Sequence, residues 1–168
     1  MKKILVILLV LISTIGFSQK PTDIMISIPN NELKTKTANY EYLSKLIFKE
    51  INEYRKSKNL NVLIWDTILF NDCKKWTDYL TINNEFRHPD IITDTLYSSR
   101  FKIECITLVY NNNDTYITNS KTAISHWKNS RPHNSGLLTS DAVMGAVSVS
   151  STNKSHLIIS FRIKLTDY

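Results

Sequence analysis

The chain has 168 residues and a formal net charge of +6, with its 21 Lys and Arg scattered along it rather than clustered among aromatics; that pattern reads as solvated surface and excludes a nucleic-acid patch. Only Gly136 and Gly145 stand outside residues 1–18, so no phosphate-cradling loop, dinucleotide fingerprint or nucleophile elbow can be written. With no His-Glu-x-x-His and no Cys-x-x-Cys either, any site must be assembled from distant segments.

Residues 1–18 have a basic start at Lys2 and Lys3, a continuous apolar run from Ile4 to Ile12, and small residues at Gly16-Phe17-Ser18. This reads as a secretory signal peptide cleaved after Ser18, too short for a membrane span. The expected location is therefore secreted or periplasmic, with no transmembrane segment left after cleavage. Residues 19–37 are polar, broken by Pro21 and Pro29, and read as a leader or linker. Residues 38–168 are of a length that suits one domain with one core.

From about Ala38 a helical period begins. Leu43, Leu46, Ile47, Ile51 and Tyr54 recur every three to four residues, with Lys45, Glu50 and Arg55 among the charges between them; the helix should end near Lys58-Asn59. Leu60 to Asp66 is extended, and Asp66 is placed to cap a second helix whose buried face is Leu69, Cys73, Trp76 and Leu80. That helix runs down before Phe86-Arg87-His88-Pro89. Residues 91–99 look irregular, Phe101 to Tyr110 reads as a strand, and Asn111 to Asp114 as a turn.

Thr118 or Asn119 should cap a third helix carrying Ala123, Ile124 and Trp127 on one apolar stripe. Pro132 lacks an N–H and should stop that helix near Ser130, holding His133 in a rigid turn. Two alternating runs, Ala142 to Ser150 and His156 to Lys164, read as strands joined by a hairpin at Asn153-Lys154. Trp65, Trp76 and Trp127 belong to the core, His126 and His156 to the surface, and Arg131 to a rim. Cys73 and Cys105 sit in apolar pattern and are read as buried free thiols rather than a disulfide, although export would permit pairing.

Three positions stand out chemically. His88 and His133 each stand beside a proline, and Glu104 interrupts an apolar strand. A carboxylate on a mostly buried strand costs several kcal/mol, on the order of 3 or more, unless it finds a donor, and imidazole is a natural one. Convergence of the three would allow a metal site, a proton relay or a structural cluster, and the residues alone leave these open.

The motifs resemble those of the CAP superfamily, the cysteine-rich secretory protein, antigen 5 and pathogenesis-related group whose domain is also called SCP. Asn52-Glu-Tyr54-Arg55 followed by Leu60-x-x-Leu63-x-Trp65-Asp66-x-x-Leu69 is similar to its first helix, linker and second helix. Phe86-Arg87-His88 matches its first histidine, and Tyr97 to Ile106 the segment ending in Gly-Glu-Asn-Ile. Trp127-Lys-Asn-Ser130-Arg-Pro-His133-Asn-Ser-Gly-Leu137-Leu138 is similar to the Trp-x-x-Ser-x-x-His-x-x-x-Leu-Leu pattern of bacterial members. Met144-Gly145-Ala146-Val147 resembles the strand that follows. The matches run in order from about residue 44 to 163.

The resemblance implies an α+β fold, a three-layer α-β-α sandwich around a small antiparallel sheet, with a cavity lined by His88, Glu104, His133 and Ser130. Ser130 stands where fuller family members carry a second glutamate, and Cys105 where they carry asparagine. The function so implied is an exported binding module for a lipid, a peptide or a cell-envelope component. Two other readings stay open: a hydrolase using the same cavity, with zinc as a cofactor on His88 and His133, and a structural His/Glu cluster without a ligand. Of these, binding is preferred over catalysis.

Overall fold

A computed structural model describes residues 39–90, 101–111, 115–152 and 156–166. The expected signal segment, the leader, the irregular 91–99 stretch, most of the 111–114 turn and the 153–154 hairpin tip lie outside these residues.

The first helix, α1, spans Tyr40–Ser57; Asn39 caps it by accepting from the Tyr42 N–H at 2.9 Å. Its buried stripe is Leu43, Ile47, Phe48 and Ile51, as the periodicity predicts. Each such side chain contributes about 1.5–3 kcal/mol by leaving water. Arg55 is a correction to the pattern: it is fully buried, not solvated. Its guanidinium donates to the carbonyls of Asn61, Leu137 and Thr139, so it ties the end of α1 to two later segments.

The short strand β1, Ile64–Trp65, leads into α2, Thr67–Asn83. Asp66 caps α2 as expected, accepting from Ile68 at 2.8 Å and Leu69 at 3.0 Å. Strand β2 is Ile103–Tyr110 and helix α3 is Tyr116–Asn129. Thr115, rather than Thr118 or Asn119, caps α3, its hydroxyl accepting from the Thr118 N–H. The chain then forms a fourth helix, α4, Arg131–Leu137, where the sequence suggested only a turn. Pro132 stops α3 but sits in the first turn of α4, where a missing N–H costs nothing. Strands β3, Ala142–Ser151, and β4, His156–Leu165, close the chain.

The sheet order is β1-β3-β4-β2. Strands β2 and β3 both pair antiparallel with β4, but β1 pairs parallel with β3. The expected sheet is thus mixed at one edge. The period-2 alternation then sorts side chains into layers. On one face, Cys105, Val147, Phe161 and Ile163 pack with α1, α3 and α4 around Trp127 and Leu137. On the other, Ile106, Ile158 and Ala146 meet Trp76, Leu80 and Leu69 of α2. The α-β-α sandwich is present. Among the described residues no helix is long and apolar enough to cross a membrane.

Candidate functional site

The β2–β4 register sets Glu104 directly opposite Arg162 and places Ser160 opposite Ile106. Residues 104, 160 and 162 consequently share the α2 face. Glu104 is almost wholly buried, with 3% of its side chain exposed, and Arg162 is completely so. The Arg162 Nε–H and the Ser160 hydroxyl both donate to Glu104 Oε1 at 2.8 Å. Phe101 lies 4.2 Å from the guanidinium, its ring face toward the cation, an arrangement that partly offsets lost hydration. The two terminal nitrogens of Arg162 are buried and have no hydrogen-bond partner among the described residues.

His88 reaches this carboxylate from the end of α2. Asn84, in the left-handed conformation, stops the helix, and the Glu85 N–H folds back onto the Leu80 carbonyl. Arg87 pairs with Glu85 at 2.8 Å and stacks over Trp76 and Tyr79, pinning the segment to α2. His88 Nδ1 then donates to Glu104 Oε2 at 3.0 Å, while 57% of its side chain stays exposed. An ionised carboxylate only accepts, so the proton must sit on Nδ1, and Nε2 is left free of the carboxylate.

The Glu104 hydrogen bond raises the His88 pKa above its ordinary value, against burial and the Arg162 charge. Burial works to raise the Glu104 carboxyl, but the His88 bond, the Arg162 charge and the Ser160 and Arg162 hydrogen bonds together hold it low. His133 enters from α4, which is docked on β2 through a Cys105 thiol donating to the His133 carbonyl at 3.6 Å. Its ring centre is 6.5 Å from that of His88, the planes inclined by 48°. Burial and then the neighbouring His88 lower its pKa.

His88, Glu104 and His133 are therefore brought to one edge of the sheet. Ser130 is half-buried at the α3–α4 junction, where its carbonyl accepts from the Asn134 N–H at 2.8 Å. Among the described residues no hydrogen bond joins its side chain to the trio. Ser160 and Arg162 were not legible as site residues, because the scattered basic residues read as surface. Arg162 corrects that reading; the available signal was a charge inside an apolar alternating strand. A groove of about 480 Å³ lies elsewhere, between α1 and α2 along β3, and none of the four expected site residues lines it.

The alternative hydrolase reading would place zinc on His88 and His133. Among the described residues no three His, Cys, Asp or Glu side chains are arranged to hold a metal ion. Both Glu104 oxygens are already engaged, so the carboxylate serves His88 rather than a cation. Two imidazoles with no third donor among the described residues fit zinc poorly.

The sequence profile of CAP, the cysteine-rich secretory protein family, matches residues 48–161. This chain belongs to the CAP family. Among solved structures, it is similar to an outer surface protein of Borrelia burgdorferi, with 20% identity and a TM-score of 0.60. The match covers 77% of this chain and 97% of that one. An extracellular SCP-domain protein of Bacillus anthracis matches at 20% identity and TM-score 0.55, over 74% of this chain and 41% of that one. Venom allergen-like protein 4 of Schistosoma mansoni matches at 15% and 0.50, over 74% and 90%. A search of the curated proteins found no match. At these identities the solved structures speak for the CAP fold alone, and the chemistry must be argued from this chain's own side chains.

Proposed function

We propose that this chain is an exported CAP domain whose His88–Glu104–His133 cleft binds a lipid, a peptide or another cell-envelope component, without hydrolysing it. The carrying observation is a half-exposed imidazole held at a fixed angle by a buried, fully engaged carboxylate. A cluster needed only for folding would bury both rings; this one leaves Nε2 of His88 without a partner among the described residues, with a second imidazole beside it. Export is supported by the signal-like segment at residues 1–18. The surface and extracellular proteins that share the fold agree with it.

Glu104 itself is disfavoured as a general base by the same hydrogen bonds. A general base needs a free lone pair and a pKa near the working pH. Glu104 has three donors on its two oxygens and a depressed pKa, so it is poorly placed to take a proton from water.

Sedimentation with isolated cell-envelope fractions tests the proposal. The double variant H88A/H133A should bind at least tenfold more weakly while its melting temperature changes little. A stability loss above about 2 kcal/mol with binding intact would return the trio to a structural role. Release of stoichiometric zinc by a chelator, together with loss of binding, would restore the metal-assisted reading.

A further inference from the structure

The outer edge of β3 is only partly paired. Strand β1 meets it at Met144 and Gly145, and the Asp66 N–H adds a bond to the Gly145 carbonyl. Beyond Gly145, among the described residues, no strand lies on that side of β3. Unpaired N–H and C=O groups along such an edge are a template for a further extended chain. The edge is also recessed. Residues 148–151 floor the groove of about 480 Å³, with the first turns of α1 as one wall and α2 as the other.

Direction and connection name the occupant. Helix α1 starts in this groove, where Tyr40 and Ser44 line it beside Val149 and Ser151. By Phe48 it has reached Gly145, at whose Cβ position the Phe48 ring would stand 3.2 Å away. It therefore runs antiparallel to β3. A segment entering α1 through a tight loop and lying on the groove floor would run parallel to β3, the sense in which β1 already pairs. Asn39 caps α1 with its side chain, and a short loop ending in such a cap is an ordinary way for a strand to feed a helix.

Counting back from Asn39, Thr37-Ala38 make that loop and Leu33-Lys34-Thr35-Lys36 come level with residues 148–151. The stretch alternates Leu33 and Thr35 with two lysines and has no Pro or Gly, which fits the pleat of a strand. Charge agrees. The charged side chains lining the groove are Glu41, Asp78 and Lys74, the last two paired with each other, so Glu41 leaves the groove negative toward Lys34 and Lys36.

We infer that residues 33–36 dock in this groove as an added strand, parallel to β3 and in line with β1, so that the segment entering α1 closes the open sheet edge. This does not depend on the His88 cleft.

Amide hydrogen exchange of the purified full chain, read residue by residue by NMR, tests it. Within residues 33–36, the amides that face β3 should exchange at least tenfold more slowly than in an unstructured chain. Successive N–H groups of a strand point to opposite sides, so the variant K34P/T35P removes the one facing β3 whichever it is. It should speed exchange at the groove-facing amides of residues 148–151 at least tenfold and leave the β2–β4 ladder slow, whereas D23P, outside the segment, changes neither. Unprotected exchange at residues 33–36 of the unaltered chain overturns the inference, and that measurement needs no variant to fold. Slow exchange at residues 148–151 that persists in folded K34P/T35P overturns it too. If protection there instead rises with protein concentration and dimers sediment, the groove belongs to a second copy. If it comes only with added envelope fraction, the groove belongs to an outside chain. Either result also overturns the inference and leaves the reading of the cleft untouched.

Discussion

His88 and Glu104 stabilise opposite ends of the pH range, and the signs can be worked out from their partners. The His88 pKa is raised from 6.5 by the Glu104 hydrogen bond, so its contribution is complete below that ordinary value and is lost as pH rises through the folded one. Glu104 is lowered from 4.5, so its contribution is present above that value and is lost as pH falls through the folded one. The variant E104Q removes both dependences while keeping the shape. It also leaves Arg162 charged, fully buried and facing a neutral amide, which should cost about 3–5 kcal/mol near neutral pH, the usual penalty for breaking a buried ion pair. Urea denaturation across pH should show that loss, with a flatter acid limb. The His88 pKa, read by NMR, should fall toward its ordinary value. An unchanged His88 pKa in folded E104Q would mean that the carboxylate does not hold the ring in solution.

At the scale of elements, the position of His133 depends on how closely α4 lies against β2, and Gly136 sets that distance. A Cβ there would stand 2.9 Å from Cys105 Sγ and 3.0 Å from Ile103 Cγ2. In an open helix, Gly to Ala is stabilising by about 1 kcal/mol. Here overpacking costs about 1–3 kcal/mol and should win. G136A is expected to lower stability by about 1 kcal/mol and to shift the His133 ring signal. C105A in the same chain should recover part of both, measured as a double-mutant cycle. The same helix marks where sequence reading stopped. Helices α1 and α2 were legible because each buries one face and so writes its period into the chain, and strands β3 and β4, buried on both faces, because they are long β-rich runs. Helix α4 was not, since Pro132 and Gly136 read locally as breakers, and only packing on β2 makes a seven-residue helix worthwhile. His88 and Glu104 were legible as a pair in need of each other. Ser160 and Arg162 were not, because their role exists only through the β2–β4 register.

For the molecule as a whole, the sandwich holds its two cysteines apart on opposite faces of the sheet. The Cys73 thiol, on α2, donates to the Ser160 carbonyl at 3.3 Å, and Cys105 packs in the α1/α3/α4 core. Both are free and buried, as the sequence suggested, so this member of a family described as cysteine-rich is closed by packing rather than by cross-links. Burial pushes the Cys73 thiol up to about 11, and burial with the Glu104 charge pushes Cys105 up to about 12. The reactive thiolate is therefore scarce at neutral pH, and no oxidant or reagent reaches either sulfur without an opening of the fold. Two outcomes are expected for the intact chain: a thiol reagent such as DTNB labels neither cysteine in the native state and both in denaturant, and added reductant leaves the melting temperature unchanged. Rapid labelling of one cysteine in native buffer would show that its face of the sandwich opens readily. A melting temperature that falls on reduction would mean that the chain closes a disulfide, which would require Cys73 and Cys105 to cross the sheet that separates them.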